Sequence, residues 1–403
     1  MVASLAKRFG ELDIAEDSAA EAFAIAVERW PVDGVPPNPG AWLTTTANRK
    51  AIDRIRRENK RDDKYREALM LTDDDPPEPL GAIDDDRLRL IFTCCHPALS
   101  VEARVALTLR LVGGLTVPEI ARGFLVQEST MAQWITRAKG KIAAARIPYR
   151  VPSAEDLPAR ITGVLTVLFL VFNEGYLATG PEADPVRPEL TAEAIRLARL
   201  VRALLPEDGE VAGLLALMLL IEARRSARVS ADGELVPLTE QERGAWDRAL
   251  IEEGHRLVRE RLDAVALGDG APGRYQVLAA INAVHTDARD ARDTDWSQVV
   301  ALYDQLILLD GSPIVALNRA IAVAELDGPV DALAAVDGLE NSLDGYHAFH
   351  ATRAELLRRM NRLEESRAAY ERAISLAGNT AEQAYLSRRR DELGESARNQ
   401  SIT

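Results

Sequence analysis

The sequence is poor in aromatic residues and cysteine, and it has no apolar run long enough to cross a bilayer. Aromatic residues make up 5% of the 403 positions, which, with the many Ala, Leu and Arg residues, favours helices over sheets. The two cysteines, Cys94 and Cys95, are adjacent, which excludes a disulfide framework and suits a reducing cytoplasm. The most apolar run, 161–172, is too short for a bilayer, and residues 1–10 lack the apolar core of a signal peptide. These absences predict an all-α cytoplasmic protein without a membrane partner.

A catalytic constellation is also missing. The five histidines are scattered, no Gly-rich phosphate-binding loop occurs, and no nucleophile lies beside a base. Three potential metal ligands adjoin in segment 92–99 (FTCCHPAL), but three neighbouring residues cannot all face one tetrahedral ion. The segment is either a zinc or redox site or, as we favour, a buried helix end closed by Pro97. We therefore expect no enzymatic activity, no metal and no cofactor.

Positive charge is scarce overall, but its distribution is uneven. The net charge is −14. Residues 1–150 contain 22 basic and 22 acidic residues, whereas the remaining chain contains 27 basic and 41 acidic residues and so carries the whole net charge. The N-terminal part is neutral with strongly segregated charges, which leads us to expect weak binding of the free protein to DNA.

Segment 36–66 combines a basic face with an apolar one. A Pro/Asn/Gly loop precedes a helical pattern that places Trp42, Leu43, Ala47, Ile52 and Ile55 near one face. The polar face contains Asn48, Arg49, Lys50, Arg54, Arg56, Arg57, Lys60 and Arg61. Such a face can follow phosphates, while Trp42 could stack on a base and Asn48 could read a base edge. Taken alone, the run is better interpreted as a solvated surface. A second DNA-binding signature further along the chain reverses that preference.

The residues before this segment are predicted to be helical to Trp30, with an interruption at Gly10. In the second helix Ala15, Ala19, Ala22, Phe23 and Ala26 form a narrow apolar stripe. The polar side contains Asp17, Glu21 and Glu28, and it faces either solvent or a docking partner.

An acidic stretch follows the basic helix. Residues 67–86 contain eight acidic residues, no basic ones and three prolines. Self-repulsion and proline favour an extended linker. The stretch could also mimic DNA phosphates and shield a basic surface, although a solvated linker is the simpler interpretation.

Residues 87–150 are predicted to form a compact helical unit that contains a helix-turn-helix. Gly113 and Gly114 end one helix, and Thr116 with Glu119 forms a capping box for the next. A further helix starts at Ser129 or Thr130, with Met131, Ile135 and Ala138 directed inward. Its outward residues are Gln133, Trp134, Arg137, Lys139 and Lys141. Two helices around a Gly-containing turn, the second with polar and basic outward residues, are typical of a DNA-binding motif.

The remaining chain is predicted to be helical, with a repeat in its last hundred residues. Three segments align on Val299, Ala332 and Ser366, at the 33–34-residue spacing of tetratricopeptide (TPR) repeats. Tyr303, Val336 and Tyr370 lie four residues after these positions, where that repeat has a bulky packing residue. A generic α-solenoid would give a weaker version of the same pattern.

In order along the chain, these motifs resemble an extracytoplasmic-function sigma factor of the subgroup with a long TPR-like extension. The segment AEDSAAEAFAIAVERW is similar to the helix of region 2 that docks on polymerase, and NPGAWLTTTANRKAIDRIRREN to the part that melts and reads the −10 element. The segment LTVPEIARGFLVQESTMAQWITRAKGKI is similar to region 4, which reads the −35 element. Trp134 stands where the family commonly has a basic residue.

The resemblance implies core RNA polymerase and promoter DNA as partners, and a protein or peptide partner for the extension. It implies region 2 at 1–66, a linker at 67–86, region 4 at 87–150, and a helical extension at 155–403 with its clearest repeats at 292–390. Contacts to the −10 element would come from Asn38, Trp42, Asn48, Arg49, Lys50, Arg54, Arg56 and Arg57. Contacts to the −35 element would come from Thr116, Thr130, Gln133, Trp134, Arg137, Lys139 and Lys141. Polymerase would be bound by Asp17, Glu21, Phe23 and Glu28.

Two alternatives remain open from the sequence. A helix-turn-helix regulator that senses a ligand or peptide through its TPR-like part would bind duplex DNA without polymerase and would not need segment 36–66. A TPR scaffold without a DNA role would leave both basic helices unexplained.

Overall fold

A computed structural model describes residues 1–59, 86–123, 126–147, 149–153, 155–176, 187–228, 230, 235–268, 270–378 and 380–400. These residues form helices joined by turns, and no β-strand occurs among them. The predicted all-α fold is confirmed. The chain divides into two compact units, Met1–Val171 and Phe172–Thr403.

Unit 1 contains seven complete helices and most of an eighth among its described residues. They are α1 (Val2–Phe9), α2 (Leu12–Asp33), α3 (Pro39–Asn59), α4 (Asp86–Cys94), α5 (Val101–Leu111), α6 (Val117–Gly123), α7 (Glu128–Ala144) and α8 (Leu157–Tyr176). The acidic stretch predicted as a linker lies outside the described residues except for Asp86, which begins α4.

Small residues set the packing of the first three helices. Ala15 and Ala22 of α2 and Ala47 and Ala51 of α3 are fully buried, and α2 and α3 are in extensive contact. Alanines at a helix interface let two backbones approach closely, so the polar faces of both helices are brought near each other. Gly10, with a φ of 72°, ends α1 in the left-handed conformation that glycine accepts readily.

The predicted helix-turn-helix is present as α6 and α7. The Thr116 backbone N–H donates to Glu119 Oε2 at 2.6 Å, and the Glu119 N–H lies 3.4 Å from Thr116 Oγ1, which confirms the capping box. Helix α7 begins at Glu128, slightly earlier than predicted, and Met131, Ile135 and Ala138 are buried as expected.

The adjacent cysteines form a buried helix end. Cys94 is the last residue of α4, and both thiols are fully buried. Burial raises the pKa of Cys95 to about 12. Cys95 Sγ contacts the Gly163 carbonyl oxygen of α8 at 3.8 Å, and Arg160 donates to the Phe92 carbonyl at 2.9 Å. The first turns of α8 therefore pack with α4 in unit 1, although the predicted domain boundary lies between 150 and 155.

Unit 2 contains the end of α8 and eleven further helices among its described residues. They are α9 (Pro188–Leu204), α10 (Gly209–Glu222), α11 (Arg248–Ala266), α12 (Arg274–Asp287), α13 (Trp296–Leu309), α14 (Pro313–Leu326), α15 (Pro329–Asp337), α16 (Glu340–Leu343), α17 (His347–Arg359), α18 (Leu363–Leu376) and α19 (Thr380–Gln400). No helix among the described residues is long and apolar enough to span a membrane. Helix α11 begins at Arg248, and the side chain of Asp247 caps it by accepting from the backbone N–H groups of Ala249 and Leu250.

The three repeat positions occupy equivalent places in unit 2. Val299 in α13, Ala332 in α15 and Ser366 in α18 are all fully buried. Val336 and Tyr370 are buried four residues later, and Tyr303 is half-buried. Helices α13 to α15 contact one another in chain order, as do α17 to α19. This arrangement is compatible with the predicted TPR-like array.

Candidate nucleic-acid interface

Helix α3 begins at a cap and presents a half-buried tryptophan. Asn38, predicted to contact DNA, accepts a hydrogen bond from the Ala41 N–H at 3.0 Å and so caps the helix. Trp42 packs edge-on against Trp30, with ring centroids 5.6 Å apart. One part of the Trp42 ring is thus held by α2, and the remaining part is accessible. A fixed, partly exposed indole is a suitable surface for an unpaired base.

Asn48 is held from two sides. Its Nδ2 donates to the Thr44 carbonyl at 2.9 Å, and its Oδ1 lies 3.4 Å from Arg8 Nη1. The amide is therefore oriented before any base arrives.

The basic residues of α3 fall into two groups. Lys50 pairs with Glu21 at 3.2 Å, and Arg54 pairs with Asp17. Arg49, Arg56 and Arg57 are exposed. Glu21 and Asp17 of α2, which are predicted to bind polymerase, are thus paired with residues of α3 that are predicted to contact DNA. Helical periodicity in the sequence could not predict these ion pairs.

Helix α7 presents its polar face to solvent. Gln133, Arg137 and Lys141 are exposed, while Thr130 and Trp134 are half-buried. Thr116, also predicted to contact DNA, is exposed and belongs to the capping box of α6. The exposed residues lie opposite the buried face of α7, as a recognition helix requires.

Lys139 differs from its neighbours on α7 and from the prediction that it faces solvent. Its side chain is only 13% exposed, and its ammonium lies 2.5 Å from Glu16 Oε2 and 2.9 Å from Asp13 Oδ1. Burial lowers the pKa of Lys139, but the hydrogen bonds to Glu16 and Asp13 outweigh burial and leave the pKa raised. Lys139 therefore links α7 to α2 through ion pairs with Asp13 and Glu16.

Two further contacts hold the helix-turn-helix against the first helices. Arg110 of α5 pairs with Glu16 at 2.7 Å, so Glu16 receives two cations. The Tyr149 hydroxyl lies within hydrogen-bond distance of the Ala3 carbonyl, at 2.9 Å, and of the Asp86 carbonyl, at 2.6 Å. Sequence reasoning missed both residues, because their partners are remote along the chain.

The outer face of α2 is apolar and exposed. Phe23, which the apolar pattern assigned to the buried stripe, is 53% exposed, whereas Ala15, Ala19, Ala22 and Ala26 are buried as predicted. Val27 is 75% exposed. Glu28 is exposed beside them. Exposed large apolar side chains next to one another on a helix are typical of a protein-binding surface.

The described residues contain no group of three or more His, Cys, Asp or Glu side chains that could hold a metal ion.

Comparisons with known proteins match three parts of the chain. The family model for sigma-70 region 2 matches residues 1–61, and that for sigma-70 region 4 matches residues 89–142. A family of unknown function, DUF6596, matches residues 160–262.

Three relatives are similar to all or part of the chain. An uncharacterised protein of Rhizobium meliloti, R00370, is 42% identical over 397 residues, which cover 97% of this chain and 92% of that protein. The ECF RNA polymerase sigma factor SigK of Mycobacterium bovis is 36% identical over 94 residues, which cover 23% of this chain and 49% of SigK. SigK of Mycobacterium ulcerans is 30% identical over 102 residues, covering 25% of this chain and 54% of that protein. No solved structure matches.

Proposed function

Since the chain belongs to the sigma-70 family, as an extracytoplasmic-function sigma factor with a C-terminal extension, we propose that it binds core RNA polymerase and directs initiation by melting the −10 element and reading the −35 element. The observation that carries the proposal is that two separate helices, α3 and α7, each bury an apolar face and expose cationic side chains at the positions expected for DNA contacts.

Polymerase would dock on the outer face of α2. Phe23 and Val27 provide apolar area that nothing within the described part of unit 1 covers, and Glu28 provides charge at the rim. Aromatic anchors surrounded by polar residues commonly dominate the energy of a protein interface.

The −10 element would be opened over α3. Trp42 offers the accessible part of its ring to an unpaired base, and Asn48 offers an amide that is already oriented. Arg49, Arg56 and Arg57 are exposed along the same helix and would contact phosphates.

The −35 element would be read by α7 in the major groove. Gln133 and Arg137 are the exposed side chains best suited to base edges, and Lys141 is suited to a phosphate.

Ion pairs within unit 1 would be exchanged when DNA and polymerase bind. Lys139 is occupied by Asp13 and Glu16, and the pair between Lys50 and Glu21 joins a predicted DNA contact to a predicted polymerase contact. Phosphates and polymerase would replace these internal partners. The free protein would then bind duplex DNA weakly, because part of its positive charge is already paired within unit 1.

The extension would regulate this activity through its TPR-like helices, which could receive a peptide or a helix on a concave surface. A helix-turn-helix regulator is a less suitable interpretation, because it would not need the region 2 segment that the family model matches at 1–61.

Run-off transcription with core polymerase tests the proposal. The template would contain the upstream region of the protein's own operon. We expect a discrete transcript only when the protein and core polymerase are both present. Tight, sequence-specific duplex binding without polymerase, together with no transcript, would favour the regulator.

A further inference from the structure

A pocket of about 340 Å³ lies within unit 2 and is unrelated to the DNA-reading helices. One wall comes from the segment matched by DUF6596, and the other from helices α17 and α19 of the repeat region. The volume falls in the range typical of small-molecule sites. Its apolar walls consist of Leu235, Val236, Pro237, Leu238, Ala348 and Leu386, with Tyr176 and Tyr385 as aromatic surfaces.

The pocket contains a buried arginine, Arg224, and a half-buried one, Arg228, and the described residues give neither of them a carboxylate partner. Arg224 is only 8% exposed; its Nη2 donates to Asn282 Oδ1 at 2.8 Å, while its buried Nε has no acceptor. Arg228 stacks 3.2 Å from the centroid of the Tyr176 ring and donates to the Tyr176 carbonyl. Among the residues that the structure describes, neither guanidinium lies within ion-pair distance of an acid.

The surroundings reinforce this positive charge. Burial lowers the pKa of Arg224 and of Arg228, yet a guanidinium remains charged in proteins. Arg243 lies close enough to lower the pKa of Arg224 further. The charge of Glu382, an acid of the lining, raises the pKa of Arg228. The described lining has two arginines and one acid, so an excess of positive charge remains.

A buried acceptor completes the polar end. Gln241 lines the pocket, and its Nε2 donates to the Val236 carbonyl at 3.0 Å, but its buried Oε1 has no donor in the described part of the chain. Buried polar atoms of native proteins are normally satisfied. An unsatisfied donor, Arg224 Nε, and an unsatisfied acceptor, Gln241 Oε1, in the lining of one pocket indicate that a bound molecule supplies their partners.

We propose that this pocket binds a small organic anion, a carboxylate or phosphate group on an apolar or aromatic body. The anionic group would lie between Arg224 and Arg228, where it would accept charge-assisted hydrogen bonds, which are stronger than neutral ones. The apolar body would pack on Tyr176, Tyr385 and the aliphatic wall. The ligand would then contact both the DUF6596 segment and helices α17 and α19. Its binding would let a small molecule regulate the extension.

The site rests on the geometry of unit 2 alone and does not depend on the sigma-factor activity. Binding is therefore tested on the full-length protein without polymerase or DNA. The probes are benzoate and phenyl phosphate, with benzamide as the neutral analogue and benzylamine as the cationic one, all at matched ionic strength. Isothermal titration calorimetry measures affinity, and thermal unfolding measures stabilisation.

We expect benzoate, phenyl phosphate or both to bind with 1:1 stoichiometry and to raise the unfolding temperature of the protein. The difference between the two anions identifies the preferred head group. Benzamide and benzylamine should bind at least ~10-fold more weakly, since they lack the charge that the arginines require. Equal affinity for benzamide and benzoate, or no binding of either anion at millimolar concentration, would overturn the proposal.

Variants separate the pocket from the rest of the surface. Arg228→Gln should weaken anion binding at least ~10-fold, since hydrogen bonds to a charged group are lost. Ala348→Leu keeps both arginines but narrows the pocket, and should abolish binding while the unliganded protein still unfolds cooperatively. Arg256→Gln removes an exposed arginine of α11 and is the matched control. Unchanged binding in both Arg228→Gln and Ala348→Leu would place the ligand elsewhere and refute the assignment.

Discussion

The two units satisfy their buried cations in opposite ways. Lys139 in unit 1 is 13% exposed and contacts two carboxylates, Asp13 and Glu16. Arg224 in unit 2 is 8% exposed, and among the described residues its guanidinium donates to a neutral amide, Asn282. A buried cation without an anionic partner strongly destabilises a protein. Lys139 has such partners within unit 1, whereas Arg224 has none among the described residues of unit 2.

This difference in the partners of the buried cations implies a different kind of regulation in each unit. In unit 1 the carboxylate partners are internal, and we propose that phosphates and polymerase replace them. In unit 2 no internal acid takes that role among the described residues, and we propose a bound anion as the partner. Both interpretations can be tested by removing charges one at a time.

The largest expected effect is that of Glu16→Gln. Glu16 receives both Lys139 and Arg110, so neutralising it leaves two poorly exposed cations with only Asp13 as an acidic partner. We expect the free energy of unfolding of unit 1 to fall by about 2–3 kcal/mol. We also expect the free protein to bind duplex DNA more tightly, with a steeper salt dependence, because two cations are released.

Urea unfolding and fluorescence anisotropy with labelled duplex DNA measure these two effects. Glu28→Gln, which removes an exposed charge from the same helix, is the control for the change in net charge. If Glu28→Gln strengthens DNA binding as much as Glu16→Gln, the effect is one of net charge and not of the released cations.

Acidification should destabilise unit 2 through His285. Burial and the nearby Arg224 and Arg243 lower the pKa of His285 from 6.5 to about 4. Between these pH values the unfolded chain binds a proton at this position and the folded chain does not, so stability is lost as the pH falls. The contribution of His285 at about pH 5 should be about 2 kcal/mol less favourable than at about pH 7.5.

The measurement compares the free energy of unfolding at both pH values for the wild type and for His285→Phe, which keeps a ring beside Trp296. The variant should lose about 2 kcal/mol less on acidification than the wild type. Equal losses in the two proteins would mean that His285 is not held neutral by the arginines.

Arg137→Ala should affect initiation without affecting stability. Arg137 is exposed on α7, and its loss should cost about 1–2 kcal/mol on promoters that depend on the −35 element. Lys139→Ala should lower initiation as well, but it should also change the unfolding temperature, because Lys139 ties α7 to α2. Quantitative run-off transcription and thermal unfolding separate the two variants. An Arg137→Ala protein that initiates like wild type on such promoters would mean that α7 is not the −35 reader.

The smallest effect is expected for Asp17→Asn. Asp17 and Arg54 are both substantially exposed, and exposed ion pairs contribute about 0.5 kcal/mol. We expect almost no change in unfolding temperature. If Asp17→Asn destabilised the protein as much as Glu16→Gln does, the ion pairs between α2 and α3 would stabilise unit 1 as strongly as those between α2 and α7.

The sequence predicted the elements whose signals are local. The capping box at Thr116 and Glu119 and the buried face of α7 follow from spacing within a short segment, and both are confirmed. Val299, Ala332 and Ser366 are buried, while their assignment to TPR-like repeats stays a prediction. Phe23 belongs to the predicted apolar stripe and to the predicted polymerase contacts, and it is exposed while the alanines of the stripe are buried.

The contacts that organise the candidate site could not be predicted in this way. Lys139 and Asp13 are 126 residues apart, and helical periodicity places Lys139 on the solvent side of α7. Whether that side meets water or another helix depends on tertiary packing, which one sequence does not specify. The same holds for Arg224, whose burial depends on α12 packing against α10.

Permanganate reactivity of thymines in the −10 element of a linear promoter tests the central account most directly. We predict reactive thymines only when the protein and core polymerase are both present. Trp42→Ala should suppress that reactivity on duplex DNA but support transcription from a pre-melted template, because stacking matters only to unpaired bases. Absence of reactivity with wild-type protein and polymerase, or a Trp42→Ala defect that persists on the pre-melted template, would contradict the account.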